Sequence, residues 1–120
     1  MKAKTVTLDP WKWQGVLVTN CSGEQFAALV KRDIGASVDS GVHSQGHAYV
    51  EYGKPWYLWV DSIENVPALA HEAFHITSGV LEERGLSLTR ESEEAYTYTM
   101  EALLRAALDK RGWQRVKPCK

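Results

Sequence analysis

Apolar residues recur along this chain with two periods, one near two in the first half and one near 3.6 in the second. Residues 5–8 (TVTL) and 14–19 (QGVLVT) read as short strands, the first closed by the Asp9-Pro10 turn signal. Ser22 followed three positions later by Gln25 has the form of a capping box, which predicts a helix over about residues 24–31. Residues 33–45 are rich in Gly, Ser and Asp and read as loop or irregular strand. Two β-rich runs follow, 47–52 and 56–61, flanking Gly53-Lys54-Pro55 in the manner of a hairpin. In the second run Trp56, Leu58 and Val60 alternate with Tyr57, Trp59 and Asp61. One face is therefore expected on the core and the other along a groove.

The 3.6-residue period then takes over. Asn65 and Pro67 suit the start of a helix and Gly85 suits its left-handed exit after Glu82-Glu83-Arg84. A second helix is predicted from Thr89 or Ser92 to about Lys110, with Gly112 as its stop and Met100, Leu103, Leu104, Ala107 and Leu108 as its apolar stripe. Strands in the first half and helices in the second define an α+β domain. The length of 120 residues is that of one domain, 1–120. Within it, residues 1–46 hold the first strands and short helix, and 47–112 the hairpin and the two long helices.

Composition narrows the function classes. Lys and Arg number 14 against 15 Asp and Glu, for a net charge of -1, so a nucleic-acid partner or a polybasic membrane contact is not expected. No apolar run approaches the ~18 residues of a membrane span, and the N-terminus carries no secretory pattern, so a cytoplasmic location is expected. Cys21 and Cys119 form neither a disulfide framework nor a metal knuckle, and reduced thiols are expected.

The segment that carries chemistry is His71-Glu72-Ala73-Phe74-His75, an H-E-x-x-H on a predicted helix. Histidines at i and i+4 share one helical side and can bind one metal ion. Glu72 then borders the ion, where a carboxylate can draw a proton from metal-bound water. Zinc suits neutral imidazole plus carboxylate, at one ion per chain. From composition, chance would write this pattern about 0.01 times in such a chain. The plain alternative is a solvent-facing histidine pair. Helical phase sets Leu69, Ala73, Ile76 and Val80 on one side and the histidines opposite, beside Ala68, Ser78 and Gly79, whose small size lets another element come close.

A catalytic zinc site needs a third protein ligand. Glu91, Glu93 and Glu94 open the second helix, where acids also favour the positive helix terminus. Glu101 shares a side with Glu94 and Thr97 and is a further candidate. Composition and phase leave the choice open.

The stretches Tyr57-Leu58-Trp59-Val60-Asp61, Ala70-His71-Glu72 and Glu94-Ala95-Tyr96-Thr97-Tyr98 together resemble the gluzincin branch of zincin metallopeptidases. More narrowly, they resemble the small HExxH proteins of bacteriophages and prophages. The resemblance covers about residues 47–108, half of the chain. It implies a minimal zincin-like fold in which a small sheet with a hairpin packs on the HExxH helix and a second long helix. It also implies a bacterial host cytoplasm, His71, His75 and Glu94 as zinc ligands, and Glu72 as general base. Glu93 is the second choice for the carboxylate. The loop 85–89 must then run back along the first helix. Tyr98 is a weaker candidate for steadying an oxyanion. In zincins an edge strand pairs with an extended peptide, and the 47–61 hairpin is the candidate here, with Tyr49, Tyr52, Trp56, Tyr57 and Trp59 divided between core and specificity pockets.

Other histidines and tryptophans change little. His43 and His47 sit among Gly41 and Gly46 and read as surface loop. A deaminase pattern fails for want of a second cysteine near Cys119, and five dispersed tryptophans make a weak case for carbohydrate. Two functions stand: a zinc metallopeptidase cleaving a restricted protein substrate, and a non-catalytic, zinc-stabilised protein that binds a host or phage protein. Glu72 favours the first, because a structural zinc site has no use for it.

Overall fold

A computed structural model describes residues 1–39 and 45–117. The chain order is β1 (Lys2–Leu8), β2 (Trp13–Thr19), α1 (Gly23–Ile34), β3 (Gly46–Tyr49), β4 (Trp56–Val60), α2 (Val66–Glu83), α3 (Glu93–Leu108) and β5 (Gln114–Arg115). The strands form one sheet in the order β3-β4-β2-β1-β5. The β2–β4 pair is parallel and the others are antiparallel. This is the α+β class, with the sheet between two helical layers.

The period-two pattern explains the layering. Leu17 on β2 and Trp56, Leu58 and Val60 on β4 face α2 and α3, where they meet Leu69, Ala73, Ile76, Val80 and Leu103. Val18, Tyr57 and Trp59 face the other way and pack with Phe26, Leu29 and Val30 of α1. All five residues of β4 are buried, so the groove expected along one of its faces does not exist. An apolar run on both faces belongs to a central strand covered on both sides. The open edge is β3 instead. The hairpin itself forms, with His47 opposite Trp59 and Tyr49 opposite Tyr57. Trp56, Tyr57 and Trp59 are core residues, Tyr49 is half-buried, and Tyr52 is exposed.

Local signals place the helix ends as expected. Ser22 and Gln25 form both bonds of the capping box on α1. Asn65 Oδ1 accepts from the Ala68 amide at 3.3 Å, and Pro67 lies in the first turn of α2. Gly85 follows the helix with φ +78°, which disfavours a side chain there. The β1 strand begins at Lys2, earlier than its apolar run, because Lys2, Ala3 and Lys4 pair with Thr19, Val18 and Leu17. No described helix is long and apolar enough to cross a membrane.

Gly15 shows how tightly the sheet is covered. A Cβ there would stand 1.8 Å from Cδ2 of Trp56, whose indole N–H donates to the Trp13 carbonyl at 3.0 Å. The ring has no exposure and a fixed bond, so it has nowhere to move. Gly15→Ala is therefore expected to destabilise the fold by about 3 kcal/mol, read as a lower urea midpoint; an unchanged midpoint would refute this packing.

Candidate metal centre

Helix α2 carries the whole of the candidate centre. Its apolar stripe, Leu69, Ala73, Ile76, Val80 and Leu81, fixes the rotation of the helix on the sheet. That rotation leaves His71 and His75 exposed and turns Glu72, 7% exposed, under the edge of β3. The two Nε2 atoms are 3.2 Å apart, and the rings meet edge to face with centroids at 4.8 Å. One ligand atom each from His71, Glu72 and His75 lies within 4.8 Å of the others. Two imidazoles on one tetrahedral zinc, with bonds near 2.05 Å, place their nitrogens about 3.3 Å apart. The observed separation fits that geometry. It also suits an N–H···N hydrogen bond between neutral rings, and the presence of Glu72 beside the pair is what tips the reading towards a metal.

Two glycines bring β3 and its continuation against this helix. A Cβ on Gly46 would lie 2.8 Å from Cγ of Glu72 and 3.0 Å from the Trp59 carbonyl oxygen. A Cβ on Gly79 would lie 2.8 Å from Cγ2 of Val50. The close approach expected at the small residues beside the histidines is thus made by Val50 over Gly79. Alongside lies a cavity of about 380 Å³ lined by His47, Ala48, Val50, Glu72, His75 and Gly79.

The edge strand runs along this cavity. The Asp61 amide donates to the Gln45 carbonyl at 3.0 Å, so Gln45, His47 and Tyr49 bond to β4. By the antiparallel alternation, the N–H and C=O of Gly46 and Ala48 point to the open edge. His47 was expected on a surface loop. It lies in β3, half-buried, with its ring 6.2 Å from Phe26 on the α1 side and outside the His71 group. His43 and Cys119 lie outside the described residues. Cys21 is half-buried and free, with its thiol pushed up to about 11 by desolvation.

Of the acidic candidates, none on α3 joins the His71 group among the described residues. The loop after α2 does turn back. Leu88, Thr89 and Arg90 share a cavity of about 500 Å³ with Phe74 of α2 and Glu93, Tyr96, Thr97 and Met100 of α3. Glu93 is thereby set on the flank of α3 that borders α2. Glu94 is exposed and, by helical phase, lies away from the buried stripe of Tyr96, Thr99, Leu103 and Ala107. Glu91 is exposed too, and Glu101 is engaged by Arg105 at 2.7 Å. Tyr98 is exposed and its hydroxyl has no hydrogen-bond partner among the described residues, whereas Tyr96 donates to the Leu86 carbonyl at 2.7 Å. Burial and the nearby Glu82 hold the Tyr96 phenol above its usual range.

Sequence reasoning missed Gly46, which it took for loop. An isolated glycine opening a β-prone run is the signal for a close backbone or side-chain approach. Taken together, the fold and this site define an α+β domain bearing a His-Glu-His group able to hold a metal ion. In comparisons with known proteins, no family model, no curated protein and no solved structure matches the chain.

Proposed function

We propose that the protein is a zinc-dependent peptidase that hydrolyses a peptide bond in an extended segment of a restricted protein substrate. The observation that carries this reading is the 3.2 Å separation of the His71 and His75 nitrogens with the Glu72 carboxylate in the same group. His71 and His75 hold the ion, and a carboxylate from the start of α3 completes the protein ligands. Zinc, when bound, polarises a carbonyl and lowers the pKa of its water to about 7. Glu72 takes the proton from the attacking water and returns it to the leaving amine nitrogen. Its position under Gly46 keeps that carboxylate at the mouth of the cavity and out of bulk water.

The open edge of β3 supplies the substrate contact. A peptide added as a further strand would bond to the outward N–H and C=O groups of Gly46 and Ala48, which sets its backbone beside Glu72 and His75. Residues 47–61 thus divide the work, with β3 receiving the peptide and β4 supporting it from within the core. The same zincin likeness, within a bacterial host cell encoding phage genes, is part of this proposal.

For the third ligand the sequence resemblance favours Glu94 and the groove beside Phe74 favours Glu93. Zinc titration separates them. Glu94→Ala is expected to weaken zinc by about 100-fold, the scale of a lost ligand, with Glu93→Ala close to wild type. The reverse order would move the role to Glu93. That no carboxylate of α3 stands in the group favours one second reading, a zinc-stabilised protein that occupies a host or phage protein without cleaving it. Zinc at one ion per chain without cleavage of any peptide in a mixed library would decide for it.

A further inference from the structure

A second cavity lies between the end of β2, the start of α2 and the end of α3, and shares no residue with the His71 group. Its volume is about 630 Å³, within the range of small-molecule sites. Ile63, Val66, Leu108 and Trp113 give it apolar walls.

Two hydrogen-bonding groups in this wall have no partner among the described residues. Thr19 is 4% exposed, and its Oγ1 is the buried side-chain polar atom left without a hydrogen bond among the described residues. Strand alternation puts Thr19 on the same face of β2 as Trp13 and Leu17, so its side chain is aimed at the α2–α3 layer, where the cavity lies. A buried hydroxyl without a partner is destabilising, and native cores rarely keep one without a reason. The second group is the indole N–H of Trp113. Trp11, Trp13, Trp56 and Trp59 each donate theirs to a protein oxygen, and Trp113 has no such bond among the described residues.

The charges at the rim point to the chemistry of the occupant. Asp109 is held by Arg111 at 3.0 Å. Lys2 and Lys110 are left against Glu64. A hydroxyl, an indole N–H and two ammonium groups outnumber the one remaining carboxylate, that of Glu64, and this excess of donors calls for an anionic acceptor. We propose that this cavity binds a small carboxylic acid with an aromatic or branched apolar body. The body lies against Trp113, Ile63 and Leu108, and the carboxylate takes hydrogen bonds from Thr19, Trp113 and the rim lysines. Because the Thr19 oxygen is covered, seating the head group requires a lining side chain to turn.

Phenylbutyrate is the probe, with phenylbutanol and butyrate as controls that remove the charge and the apolar body in turn. Calorimetry and the indole N–H resonances of the full chain read the binding. Saturable binding of phenylbutyrate, with the Trp113 indole resonance shifted and both controls at least about fivefold weaker, is expected. Thr19→Val is expected to weaken the acid by about fivefold while the protein melts no lower than wild type, and Thr19→Ser to retain binding. Absence of saturation at millimolar acid, equal affinity for the alcohol, or undiminished binding in Thr19→Val would each overturn the site. Should Thr19→Val fail to fold, Trp113→Phe, which removes the N–H with its five-membered ring and keeps an aromatic wall, decides by the same fivefold criterion. Zinc content plays no part in these readouts, so the result stands apart from the metal centre.

Discussion

Glu72→Gln is expected to lower peptide hydrolysis by about 10³-fold while leaving one zinc per chain and an unchanged melting temperature. The substitution replaces one carboxylate oxygen by an amide nitrogen and keeps the shape of the side chain. Its Cγ therefore still fits beneath Gly46, where a Cβ would come within 2.8 Å. The helix is unaffected, because Gln and Glu have nearly equal helix propensity. What is lost is the acceptor for the proton of the attacking water. Cleavage products of a mixed-peptide library, followed by mass spectrometry, provide the measurement. Full activity in Glu72→Gln would remove the residue from the mechanism, and a loss of zinc would make it a ligand instead.

The second large effect is at the histidines. His75→Ala is expected to reduce zinc from about one ion per chain to none detectable by elemental analysis after dialysis, and His71→Ala to do the same. Both side chains are exposed, and alanine is the strongest helix former, so α2 should hold its place on the sheet. Loss of metal with the circular dichroism of the wild type therefore isolates ligation from folding. If zinc binds equally well without His75, the 3.2 Å pair is a surface hydrogen bond and nothing more.

Much of this was legible in the sequence, for reasons that differ from element to element. The ends of α2 were written locally, in Asn65, Pro67 and Gly85, and the start of α1 in Ser22 and Gln25, whereas its end at Ile34 lies beyond the residue 31 expected. The His-Glu-His group was legible because its geometry needs only one helix. Central placement of β4 was not, although its five apolar residues hinted at cover on both sides. It depends on the parallel pairing of Gly15 with Trp56, a contact between residues far apart in the chain. The short β5 pairs with Lys2 and Ala3 across nearly the whole chain, and Gln114 and Arg115 carry no β signal of their own. The choice between Glu93 and Glu94 as a proposed ligand was illegible for a finer reason. Glu93 and Glu94 are neighbours on a helix and so face about 100° apart, and the start of α3 decides which one looks towards α2.

Gly46 and Gly79 shape the candidate metal centre by leaving atoms out. The cleft is made by omission: Gly79 leaves a side chain out of its wall, and Gly46 leaves room for Glu72 beside it. A substituent at either position would have to displace a neighbour, Glu72 at Gly46 and Val50 at Gly79. The aperture, and with it the girth of polypeptide admitted, is thus set by what these positions lack, and a methyl group at Gly79 would act as a wedge against Val50 without meeting Glu72.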